Sequence, residues 1–207
     1  MQEAGVQHYI WSSLLNITKL SGGVLTGVQH FDSKAKVEDY VRETGIPASF
    51  FLPGYFMSNL IPGGVLRPGE DGKYALSLPV PGSAIVPLLD TGDDVGKFVK
   101  GILLNREKTL GKRILGATEY KTLDEVVAGF EKQFPEAGKG AKFVQTTHEA
   151  FKSGLMARGM DDVSAEDILQ NMRLLSEFGY YGKEPLDESH SVRDPPPKFE
   201  ILADFLC

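Results

Sequence analysis

Apolar and polar residues follow two alternating rhythms along this chain, one of period two and one near three and a half. Residues 6–11 are aromatic and β-branched and read as a strand, closed by Ser12 and Ser13. A glycine-bearing loop covers 22–27. Asp32 or Ser33 then caps a helix whose apolar stripe is Val37, Tyr40 and Val41. Glu38 and Arg42 pair one turn apart on it, and Gly45 stops it. Pro47 introduces a second strand, 48–52, which runs into the turn Pro53-Gly54-Tyr55-Phe56.

Turns at 62–64 and 68–72 precede strands at 74–78 and 86–89. A helix opening at 91–94 carries Val95, Phe98, Val99, Ile102 and Leu103 on one face, with Asp93 and Asp94 as acids at its positive end. A strand at 113–117 follows. Thr122 and Glu125 form a capping box ahead of Val126, Val127, Phe130 and Phe134. The pattern continues with a strand at 142–146, a helix at 149–157, and a helix from Ser164 carrying Ile168, Met172, Leu175 and Phe178 up to Gly179. The stretch 184–198 is polar and proline-rich, a loop or wrapped tail, and 201–206 reads as a final packed turn. Strands alternating with helices predict an α/β fold with a mainly parallel sheet. Such sheets bind ligands at the carboxyl ends of their strands, so Ser12, Ser13 and the Pro53 turn belong at one rim.

Composition narrows the function. The 207 residues are 42% hydrophobic and 24% charged, ordinary for a globular domain. A net charge of -6 offers no cationic surplus for a phosphate backbone, so nucleic-acid binding is not expected. The single cysteine, Cys207, excludes an intrachain disulfide and points to a reducing compartment, the cytoplasm. No signal-peptide pattern and no apolar run of membrane-spanning length is present.

Candidate chemistry is sparse. No Gly-x-Gly-x-x-Gly loop occurs; Gly138-Lys139-Gly140 and the stretch 92–97 fail on spacing and read as tight turns. His8, His148, His190 and Cys207 have no metal-ligand spacing, so no metal is expected. No nucleophile elbow is present. His30 and Lys34 stand four apart at a helix start, which places them on one face. Lysine there can bind ribose hydroxyls, and imidazole can donate a proton near neutrality. A solvated lysine beside a packed histidine is the competing reading. Tyr180 and Tyr181, after a helix stop, read as anchors for the C-terminal segment.

Several stretches together resemble the NmrA-like family of atypical short-chain dehydrogenases. They are 7–13, His30-Phe31-Asp32-Ser33-Lys34, 37–40, Pro53-Gly54-Tyr55-Phe56, 71–74, 93–96 and 178–182. The resemblance spans nearly the whole chain. It implies a Rossmann-like domain with a smaller, mostly helical C-terminal subdomain. Residues 1–60 and 86–105 would be the remainder of the Rossmann core, and 61–85 and 106–207 the substrate or partner subdomain. It implies NADP(H) as cofactor, with Lys34 on the nicotinamide ribose and Ser12, Pro53, Gly54, Tyr55, Phe56 and Asn59 around the nicotinamide. Tyr-x-x-x-Lys is the usual catalytic pair of short-chain dehydrogenases; here His30 stands in the tyrosine's place, leaving His30 and Lys34 as the candidate catalytic pair. The family's front portion, with the glycine-rich phosphate loop, has no counterpart in these residues. The chain is therefore expected to represent the C-terminal part, with an apolar sheet edge left bare.

Three functions follow as expectations. The first is an NADP(H)-associated redox sensor or transcriptional regulator, catalytically weak or inactive, acting through a protein partner, with a nuclear role added by the resemblance. The second is an NADP-dependent oxidoreductase for a small carbonyl substrate, in which Tyr55 could assist. The third is a cofactor-free protein-interaction module.

Overall fold

The computed structural model describes residues 4–60 and 65–195. The expected turn at 62–64, the packed turn at 201–206 and Cys207 lie outside them. The elements run β1 (Tyr9–Ser12), α1 (Ile17–Leu20), α2 (Gln29–Glu43), β2 (Ala48–Pro53), β3 (Tyr55–Phe56), β4 (Leu66–Pro68), β5 (Tyr74–Leu78), β6 (Ile85–Leu89), α3 (Asp94–Leu104), α4 (Arg106–Thr109) and β7 (Arg113–Gly116). They continue with β8 (Glu119–Thr122), α5 (Leu123–Gln133), β9 (Lys142–Gln145), α6 (His148–Met156), α7 (Asp162–Glu177) and α8 (Asp187–His190).

The fold is α/β with mostly parallel pairing. Three three-stranded sheets have the orders β1-β2-β7, β3-β6-β8 and β4-β5-β9. All pairs are parallel except β4–β5 and β6–β8. β7 follows residue 105 in sequence yet lies beside β2, so the first sheet draws on both sides of that position. Among the described residues β1 pairs with β2 alone, and Tyr9, Ile10 and Trp11 are half-buried, Tyr9 and Trp11 packing on the core. No described helix is long and apolar enough to cross a membrane.

Helix α2 departs from its sequence reading. It starts at Gln29, not after Asp32 or Ser33, and Val28 precedes it without a side-chain cap. Asp32 instead caps α1: its carboxylate accepts from the Ile17 and Thr18 backbone N–H groups at 2.6 and 3.3 Å. The buried face is Phe31, Ala35, Glu38 and Val41, whereas Val37 and Tyr40 face outward. A carboxylate on the core face misled the apolar stripe, because periodicity counts only apolar positions. Gly45 does follow the helix end, with φ +67°. β8 was missing from the sequence reading; its Glu-Tyr-Lys-Thr is half-exposed throughout and carries no apolar alternation.

The described part of the polar stretch, residues 184–195, packs on the fold and includes α8, while 196–198 lie outside the described residues. The Leu115 N–H donates to Ser189 Oγ at 2.8 Å, and Arg193 bonds the buried Asp94 at 2.5 Å. Asp94 stands in the first turn of α3, as the sequence predicts for a helix N-terminal acid, and is in addition a fully buried partner of the tail. The tail lies so close to α3 that a Cβ on Gly101 would sit 1.8 Å from the Val192 carbonyl oxygen. By contrast, a Cβ on Gly154 of α6 meets nothing within 4 Å.

These two glycines give opposite expectations. Gly101→Ala should lower stability by at least about 1–3 kcal/mol through overpacking. Gly154→Ala should raise it by up to about 1 kcal/mol through helix propensity. Urea unfolding of both variants checks this; equal effects would contradict the tail's seat on α3.

Candidate functional site

The carboxyl ends of β1 and β2 open onto one cavity of about 1030 Å³. Every site residue proposed from sequence lies on its wall: Ser12, His30, Lys34, Pro53, Gly54, Tyr55, Phe56 and Asn59. That fixes their place, not their roles.

Glu38 sets the geometry. Its carboxylate is fully buried and accepts from Ser13 Oγ at 2.5 Å, Arg42 Nε at 3.0 Å and Arg113 Nε at 2.8 Å. This ties α2 to the ends of β1 and β7. One and two turns earlier on the same helix stand Lys34 and His30. Lys34 Nζ donates to the Ser12 carbonyl at 3.0 Å and to Ser12 Oγ at 3.3 Å, and lies over the Trp11 ring at 5.7 Å. Trp11 Nε1 donates back to the Lys34 carbonyl at 3.1 Å. An ammonium has three donors, so one remains for a ligand.

His30 is held by Asp167 of α7. Its backbone N–H donates to Asp167 Oδ2 at 3.2 Å, and its Nδ1 contacts Asp167 Oδ1. A carboxylate on Nδ1 leaves Nε2 as the ring atom available to a ligand. Asp167 is not among the residues that the sequence singles out. Nothing local identifies it, because 137 residues separate the two partners.

The Pro53 turn exists because strands crowd there. The Gly54 N–H donates to the Gly116 carbonyl at 2.8 Å, and a Cβ on Gly54 would lie 2.5 Å from the Pro87 carbonyl oxygen. Tyr55 is buried, which pushes its phenol up to about 12, so it holds its proton tightly. Tyr180 and Tyr181 anchor the turn's strand, donating to the carbonyls of Pro53 at 3.3 Å and Leu52 at 2.8 Å. Burial raises both phenols.

The opposite wall comes from β4, α6 and α7 and escaped sequence reasoning. It includes Arg67, Thr146, Phe151, Arg158, Asn171 and Met172. Thr146 Oγ1 and Asn171 Nδ2 are closed to solvent and have no partner among the described residues. Each such orphan costs about 1–3 kcal/mol, which a ligand or a small rearrangement could recover. Among the described residues no cluster of three or more His, Cys, Asp or Glu could hold a metal ion.

Comparison with known proteins agrees with the fold. The model of the NmrA-like family matches residues 1–198. The NmrA-like family domain-containing oxidoreductase FrzB of Cladobotryum sp is 28% identical over 204 residues, covering 88% of this chain and 56% of FrzB. The nitrogen metabolite repression protein nmr of Neurospora crassa is 34% identical over 139 residues, covering 63% of this chain and 28% of that protein. Among solved structures, NmrA, a negative transcriptional regulator in complex with NADP, superposes with a TM-score of 0.80 at 20% identity. The match covers 99% of this chain and 65% of that one. The chain thus spans about half the length of the curated relatives it matches.

Glu38→Gln should lower stability by about 1–3 kcal/mol, because a buried ionic cluster loses its charge while its partners remain. Chemical denaturation measures the loss. An unchanged midpoint would mean that α2 is held by apolar packing alone.

Proposed function

From membership of the NmrA-like family, to which this chain belongs, and from the grouping of Lys34 with Ser12 beside His30 and Asp167, we propose an NADP(H)-linked carbonyl reductase site of which these residues form the nicotinamide and substrate end. The observation that carries it is the Lys34–Ser12 contact at the carboxyl end of β1, opening on the cavity. The residues fit a nicotinamide riboside: Lys34 has a donor to spare for a ribose hydroxyl, and Ser12, Pro53, Phe56 and Asn59 border the same space. The 207 residues supply no glycine-rich loop for the pyrophosphate. NADP appears with a solved relative, and the reading extends it to this chain.

When bound, a reduced nicotinamide supplies a hydride to a carbonyl carbon. His30 supplies the proton to the oxygen that becomes a hydroxyl, and solvent restores it. Asp167 positions His30 by occupying Nδ1 and so directs Nε2 to the reaction. Lys34 orients the ribose and adds positive charge near the oxygen. Tyr55, with its phenol near 12, is a poor source of that proton.

A second reading, an NADP(H)-responsive regulator, draws on the same His30–Asp167 bond. That bond joins the rim of the first sheet to α7, so cofactor contact at α2 could bias how α7 meets a protein partner. The Neurospora relative's regulatory name favours it.

NADPH should bind the folded chain in calorimetry, with Lys34→Ala weakening it tenfold or more, about 1.4 kcal/mol. With an aldehyde and quinone panel, His30→Ala should lower kcat about 10²-fold or more. Asp167→Asn should lower kcat with KM little changed. Binding with no turnover on the panel favours the regulator; no binding by a folded chain removes both readings.

A further inference from the structure

The charge of the cavity wall is opposite to that of the protein. The chain carries 28 acidic residues and a net charge of -6. Yet among the described residues no Asp or Glu lines the cavity, while Lys34, Arg67 and Arg158 do. A concave, partly apolar site lined by one sign of charge focuses its field and concentrates the opposite ion. Lys34 belongs to the proposed cofactor end and is engaged by Ser12. The two arginines come from β4 and from the turn after α6, on the opposite wall. Arg158 makes no ion pair among the described residues. A guanidinium offers a planar fork that matches a carboxylate with two parallel bonds.

The rest of that wall is apolar, with Phe151, Leu155, Met160 and Met172. Thr146 Oγ1 and Asn171 Nδ2 add two polar atoms without a partner among the described residues. A volume of about 1030 Å³ lies at the upper end of the ~300–1,000 Å³ typical of ligand pockets, so a nicotinamide leaves room for a second molecule. Gly154 lines the cavity without a side chain, which widens it between α6 and the sheet.

We infer that this wall is the substrate subsite and that it takes an organic acid: an apolar, aromatic-sized body bearing a carboxylate, which Arg158 and Arg67 hold. The inference rests on reading the cavity as a substrate site, and it stands without a nucleotide being bound.

The test is titration of the nucleotide-free chain with 2-naphthoate, with 2-naphthamide and with inorganic phosphate, followed by calorimetry or amide chemical shifts. Naphthoate should bind at least tenfold tighter than naphthamide and weaken as salt rises. Arg158→Gln and Arg67→Gln should each erase most of that preference, and Arg158→Lys should restore part of it. Lys34→Ala should weaken naphthoate far less than either arginine variant does while weakening NADPH tenfold or more, which separates this inference from the cofactor reading. Both arginines are exposed, so thermal unfolding should show the variants folded. Equal binding of acid and amide, or no binding of either, overturns the inference. So does phosphate competing as well as naphthoate, since the apolar wall would then be idle. If Arg158→Gln weakens NADPH but not naphthoate, the arginine serves the cofactor and the inference falls.

Discussion

A buried carboxylate organises the site. Glu38 has no exposure to water, and its oxygens are met by a serine and two arginines from three different segments. Such a cluster contributes little net stability, because the desolvation of the charge offsets much of its attraction to the arginines. What it contributes is register. A helix held only by apolar contacts can slide or roll at small cost; one whose carboxylate must meet Ser13 at the end of β1 cannot. Lys34 and His30 stand one and two turns before Glu38, so whatever fixes Glu38 fixes them. The Trp11 indole bond to the Lys34 carbonyl repeats the constraint from the strand side.

The other face of the rim depends on absence of side chains. At Gly54 the chain leaves β2 for β3 between the carbonyls of Pro87 and Gly116, with no space for a Cβ. Gly116 is likewise closed by the Phe51 ring, 2.3 Å from where its Cβ would be. Three strands from two sheets meet there, and only glycine lets their backbones approach so closely. The tyrosine pair then locks the arrangement, since the Tyr180 and Tyr181 hydroxyls accept no alternative to the Pro53 and Leu52 carbonyls once buried. The rim is thus rigid on both sides, with α2 pinned by charge and the Pro53 turn pinned by sterics.

Local rules made some of this legible in the sequence. The capping box at Thr122 forms as read, the Thr122 N–H meeting Glu125 at 2.7 Å. That bond, made to the backbone, keeps the Glu125 carboxyl below its usual range. The strand at Tyr74–Leu78 shows the expected alternation. The histidine–lysine pair was visible because its spacing is a property of one helix. The start of that helix was misplaced because Asp32 has the side chain of a cap but caps α1, and only tertiary structure says which helix end an aspartate reaches. The far wall was invisible for a related reason. Arg67 comes from β4, Arg158 from the turn after α6, and Asp167 and Asn171 from α7, three segments with no shared motif, and their meaning arises only when α6 and α7 fold back over the sheet.

Two physical features of the cavity then bear on one another. His30 links the rim to α7 through Asp167, and α7 also supplies Ile168, Asn171 and Met172 to the wall. A molecule that settles against α7 therefore presses on the element that orients His30. The catalytic and regulatory readings differ in output but not in this coupling. In one, pressure on α7 aligns an imidazole; in the other, it changes the face that α7 offers a partner. Gly27 accentuates the link, since its N–H donates to Gln170 of α7 at 2.7 Å just ahead of α2. Bonds from residues 27 and 30 join the start of α2 to α7, while Glu38 joins its middle to the ends of β1 and β7. Lys34 stands midway between the two attachments, so α7 and the first sheet together set where its ammonium lies.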